Sequence, residues 1–170
     1  MKLLNQASDA PLSKELEKVD TIQAYQRILV ADDLGPGSAA VFEQALMIAS
    51  RTGAELLIAH AADATNVIEL SFMPAEAYDE WVRKSEESDR KQLQPAVEQA
   101  RKAGVEAQIL TLTGGLTDAI LEAARERKVD LIVMGHHQRR NVARMFAGSA
   151  ALHIARHAPC PSLLVPEKSS

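Results

Sequence analysis

Five short apolar runs recur along this chain, and glycine- or proline-marked breaks and segments of helical periodicity lie between them. The run Leu131 to Met134 is continuous rather than alternating, as a strand covered on both faces must be. Strands of that kind sit in parallel sheets, whose neighbours are joined by crossovers that are usually helical. The alternation therefore predicts an α/β chain with a five-stranded, parallel, doubly wound sheet. In such sheets ligands bind beyond the carboxyl ends of the strands, where strand order reverses.

In chain order, the first run, Ile28 to Ala31, ends at Asp32-Asp33, and Gly35-Pro36-Gly37 turns into a helix from about Ser38. Val41, Ala45, Ile48 and Ala49 share one face of it, and Gly53 closes it. Strand two is read at Glu55 to Ala62. A long helix follows from about Ala77 to Ala103, with Trp81, Leu93, Val97 and Ala100 inward and Pro95 as a kink point. Strand three is Val105 to Leu112, and a helix from about Thr117 to Lys128 turns Ile120, Leu121 and Ala124 inward. Strand four stops at Gly135. The last helix is read at Ala150 to His157, with Ser149 as its N-cap or first-turn residue, and the last strand at Ser162 to Val165.

A chain of 170 residues with 46% hydrophobic content suits one domain, large enough to bury about 70% of its unfolded surface. The first 26 residues read as an extension, in which Asp9 and Pro11 start a short helix carrying Leu12, Leu16 and Val19 on one face. A formal net charge of -4 argues against nucleic acid or an anionic membrane surface as partner, since both call for a basic face. No apolar run approaches about 18 residues and no signal-like segment is present, so neither a membrane span nor secretion is expected. The single Cys160 allows no internal disulfide, and the expected location is the cytoplasm.

The stretch VDLIVMGHHQRRNVARMFAGS, Val129 to Ser149, carries most of the functional signal. An anion between Gly135 and the N-terminus of the following helix would meet free backbone N–H groups and a partial positive charge. Arg139, Arg140 and Arg144 lie in the loop between, either as phosphate partners or as a solvated loop.

This stretch resembles the universal stress protein family, whose nucleotide-binding members carry G-x2-G-x9-G-[ST] after the fourth strand. Here Gly135, Gly148 and Ser149 match, and Gln138 stands where the second glycine is found. The ending HIARHAPCPSLLVP, the strand Ile28 to Asp33 and the strand Leu56 to Asp63 are also similar, so the resemblance covers residues 27 to 166. It implies the adenine-nucleotide alpha hydrolase-like fold with strand order 3-2-1-4-5. It further implies that Asp33 contacts the nucleoside, that the Ala61 backbone meets adenine, and that Gly135, Gln138, Arg139, Gly148 and Ser149 surround phosphate. ATP or another adenine nucleotide, with Mg, is the implied ligand, and a homodimer paired through Ser162 to Val165 is the implied assembly. Unknown protein partners are compatible with such a module.

Other constellations compete. Gly35 to Ala40 fits G-x-G-x-x-[GA], but acidic residues precede it and Asp63 comes late for a ribose-binding acid, so it reads as a glycine turn. No Walker A loop is present. His153, His157 and Cys160 have a spacing that could gather around a metal with His136 or His137; alternatively His157 stabilises a helix C-terminus and Cys160 is a small apolar residue. His60 reads as a hydrogen-bonded core or rim histidine. No catalytic residue is assigned: Ser149 lacks the G-x-S-x-G elbow, and the adjacent Asp32 and Asp33 point to opposite faces. Three readings stay open, namely an adenine-nucleotide module in stress response, a dimeric protein of the same fold that has lost the nucleotide through Gln138, and a nucleotide-using enzyme. The resemblance is compatible with slow ATP hydrolysis.

Overall fold

The computed structural model describes residues 24–32, 35, 37–61, 72–112, 115–136 and 145–166. The expected N-terminal helix, and with it Leu12, Leu16 and Val19, lies outside these residues. Five strands, β1 (Arg27–Asp32), β2 (Glu55–Ala61), β3 (Ala107–Leu112), β4 (Leu131–His136) and β5 (Ser162–Pro166), form one sheet in the order β3-β2-β1-β4-β5. Every neighbouring pair is parallel. Among the described residues, four helices connect them: α1 (Ser38–Thr52), α2 (Ala75–Lys102), α3 (Leu116–Glu126) and α4 (Met145–His157). The sheet class and strand order are those expected.

Alternate residues of the continuous apolar runs serve two cores. Ile28, Val30, Leu56, Ile58, Leu131 and Val133 pack against α1 and α2 through Val41, Phe42, Ala45, Leu93 and Val97. Leu29, Leu57, Ile132 and Met134 pack against α3 and α4 through Ile120, Leu121, Ala124, Ala151 and Ile154. Both faces of the central strands are dry, which is why these runs are unbroken rather than alternating. At the amino edge, Asp130 accepts from the Gln26 and Arg27 amides at 2.7 and 3.1 Å and so fixes the start of β1 beside the start of β4.

Helix ends show how local chemistry sets the joints. Gly104 has φ 75°, and the Val105 amide returns to the Ala100 carbonyl at 2.9 Å, a closure that needs a left-handed residue. That closure holds Val105, so β3 begins at Ala107 rather than at the expected Val105. α3 ends the same way, with the Val129 amide on the Ala124 carbonyl at 2.9 Å, but Lys128 supplies the positive φ of 52°.

Two other expectations change. α2 runs from Ala75 through Pro95 as one helix of 28 residues, about 42 Å long, whereas the strands it covers span roughly 20 Å. Its N-terminal part therefore outreaches the sheet at the carboxyl edge. Trp81 is consequently only half-buried, its ring 6.1 Å from that of Tyr78, instead of filling the core. Gly135 does not stop β4, which continues to His136 because β5 offers it partners through Gly135↔Val165 and His136↔Pro166.

Candidate functional site

The reversal of strand order falls between β1 and β4, since the chain winds outward from β1 to β3 and then returns to β4 and β5. Their ladder ends with Ala31 beside Met134, so Asp32 and Gly135 are the next residues on the two strands at the carboxyl edge. Ala61 closes β2 on the same edge, paired with Leu112. The sheet thus gathers the ends of β1, β2 and β4 around one crevice, where open sheets of this class bind ligands.

Of the expected site residues, Gly135 is the best defined. A Cβ built on it would meet Val41 Cγ2 of α1 at 3.4 Å, the near limit of ordinary contact. Its φ is not positive, so the backbone there does not demand glycine. Ala61 is the last residue of β2, at the carboxyl edge of the sheet. Asp33, Gln138 and Arg139 lie outside the described residues, as do Arg140 and Arg144.

Gly148 and Ser149 are placed differently from the expectation. α4 begins at Met145, so these two are its fourth and fifth residues and Ser149 is not the N-cap. Met145, Phe146 and Ala147 are apolar residues compatible with a helix. A glycine within one costs only about 1 kcal/mol. The amides left without helical partners at the α4 N-terminus therefore belong to residues before Ser149.

The turn after β1 is built from backbone. The Ser38 amide donates to the Gly35 carbonyl at 3.1 Å, and Gly37, with φ -87° and ψ -12°, precedes α1 in an ordinary right-handed conformation. No acidic residue occupies the first turn of α1.

One polar pair near the crevice escapes sequence reasoning. His60 of β2 donates from Nδ1 to Asp89 Oδ1 of α2 at 2.8 Å, which makes His60 the hydrogen-bonded rim histidine expected. Asp89 is only 2% exposed, and its Oδ2 has no hydrogen-bond partner among the described residues. In sequence it hides within the charged run Glu86 to Lys91, although its spacing to Leu93, Val97 and Ala100 marks it as a member of the inward stripe. The register sets His60 beside Asp32, so the pair braces β2 one residue before Ala61.

Among the described residues, no group of three or more His, Cys, Asp or Glu side chains is gathered to hold a metal ion. No helix among them is long and apolar enough to cross a membrane.

Comparison with known proteins agrees with this architecture. The model of the family described as "Universal stress protein family" matches residues 24–166. Universal stress protein YxiE of Bacillus subtilis is 28% identical over 146 residues, covering 83% of this chain and 99% of its own length. Among solved structures, hypothetical protein MJ0577 superposes with a TM-score of 0.71 at 20% identity, over 86% of this chain and 99% of its own, a likeness of fold. A universal stress protein solved in complex with cAMP has a TM-score of 0.61 at 26% identity, over 84% of this chain and 98% of its own. With the sheet order, the edge residues and a family match running from Ala24 to Pro166, the chain belongs to the universal stress protein family.

Proposed function

We propose that this chain is a cytoplasmic adenine-nucleotide binding module of stress response, working as a homodimer and without efficient catalysis. The observation that carries the reading is the sheet order, because it brings the ends of β1 and β4 to one crevice and sets Gly135 next to the ladder's last pair. A related universal stress protein in complex with cAMP supports an adenine ligand. In this reading Asp33 holds the nucleoside, the Ala61 backbone meets adenine, and Gly135, Gln138, Arg139, Gly148 and Ser149 surround the phosphates with Mg. The reading assigns no catalytic residue, so occupancy rather than turnover is the signal.

Gln138 favours a second reading in which the nucleotide has been lost and protein contacts alone remain. Glycine at that position allows backbone to approach phosphate, whereas a side chain would cost about 1 to 2 kcal/mol if a left-handed conformation were required. Comparing the chain with its Gln138→Gly variant decides between the two. Nucleotide binding in both supports the first reading; binding only after the substitution supports the second.

For the dimer, the reading relies on β5, which among the described residues pairs with β4 alone and has no strand on its other edge. Unprotected edges invite pairing, and β5 pairing with its twin across a two-fold axis would cover them. Sedimentation equilibrium should give a dimer, and a lysine at Leu163 should shift it toward monomer. A monomer at the outset would remove the assembly part of the proposal.

A further inference from the structure

The nucleotide reading uses the Ala61 backbone but not the polar pair beside it. On the β3 side the ladder of β2 runs to Ala61↔Leu112, whereas on the β1 side it stops at Asp32↔His60 among the described residues. Strand pairing therefore holds Ala61 from one side. His60 adds a tie from another direction. It shares the strand face of Leu56 and Ile58, which pack toward α1 and α2, and its Nδ1 lies 2.8 Å from Asp89 Oδ1. The buried residues of α2 are Asp89, Leu93, Val97 and Ala100, and Asp89 stands farthest toward the helix N-terminus. The bond is thus made where α2 begins to outreach the sheet, one residue from Ala61.

Stability alone does not account for such a pair. The Asp89 and His60 side chains keep only 3% and 17% of their surface exposed, and Asp89 Oδ2 is buried with no hydrogen-bond partner among the described residues. A buried polar pair with an oxygen left unsatisfied is no more stabilising than apolar side chains of similar volume, and often less so. What it adds is direction. A hydrogen bond sets one distance and one angle, whereas packed methyl groups can slide.

We propose, resting on the adenine-nucleotide reading, that His60 is a positioning residue: through its bond to Asp89 it holds the Ala61 backbone where that backbone reads the base. Adenine offers a ring-nitrogen acceptor beside an amino donor, and guanine offers the reverse, a ring N–H beside a carbonyl oxygen. Backbone N–H and C=O groups held in place pair with the first and are left unpaired by the second. Neither His60 nor Asp89 touches the nucleotide. Slack at Ala61 weakens the base contact and leaves the phosphate contacts as they are.

The test is calorimetric titration of the full chain with Mg-ATP and with Mg-GTP, beside His60→Asn and His60→Leu/Asp89→Leu. Asparagine sets an amide N–H where Nδ1 stands and carries nothing at Nε2, so it keeps the bond to Asp89 and removes the rest of the ring. The starting chain should prefer Mg-ATP, and His60→Asn should keep both its affinity and its preference. The double leucine variant should lose about tenfold in Mg-ATP affinity, the worth of one hydrogen bond, while its Mg-GTP affinity stays unchanged. His60→Gln, which moves the amide to the Nε2 position and out of reach of Asp89, should match it and serves in its place if the leucines do not pack. Undiminished preference for Mg-ATP in the disrupted variants would overturn the positioning role. So would equal loss in His60→Asn, which would mean that the ring itself meets the ligand, and so would equal affinity of the starting chain for the two nucleotides. No binding of either nucleotide to the starting chain would overturn the nucleotide reading and the role of His60 with it.

Discussion

At Gly135 two roles of a small residue can be separated. A Cβ added there would meet Val41 at 3.4 Å, which is tolerable, and no positive φ is needed, so Gly135→Ala should cost less than about 1 kcal/mol in urea unfolding. Nucleotide affinity should nevertheless fall, because the added methyl stands at the crevice. A large stability loss with unchanged affinity would assign this glycine to packing alone. Asp89 behaves oppositely. Removing its partner with His60→Ala leaves a buried carboxylate without a hydrogen bond, which should cost about 3 to 5 kcal/mol, and the double replacement His60→Leu/Asp89→Leu should recover most of that. Urea unfolding of the two variants measures the difference. His60 is legible in sequence as a histidine needing a partner; Asp89 is not, because charged neighbours on both sides mask one inward residue of a helix.

The elements are legible where two faces of a strand are dry. Ile28 to Ala31 and Leu131 to Met134 have no polar residue to obscure them, and their pattern places both strands to within a residue or two. Helix limits are harder, since α2 outreaches the sheet, with the exposed pairs Glu80–Lys84 and Glu87–Lys91 along its free part, and α4 starts at Met145. Lys128 shows what a local rule leaves behind. It holds the left-handed place that Gly104 holds after α2, at a cost of about 1 kcal/mol for a side chain with Cβ. Lys128→Gly should therefore stabilise the chain by roughly that amount, read as a higher urea midpoint with an unchanged slope. A lower midpoint would mean that the lysine side chain contributes more than its backbone strain removes.

For the whole molecule, the crevice follows from topology more than from any single side chain. Strand order comes from resemblance rather than from the residues' own pattern, because an alternation of strands and helices allows more than one winding. Once that order is in place, the ends of β1, β2 and β4 meet, and the family match covers the stretch that builds them. The most direct measurement is calorimetric titration of nucleotide-stripped protein with Mg-ATP, beside a Gly148→Trp variant that crowds the expected phosphate side. Micromolar binding to the starting protein, lost in the variant, is the predicted result. Binding of equal strength in both, or none in the starting protein, would contradict the assignment of the crevice to an adenine nucleotide.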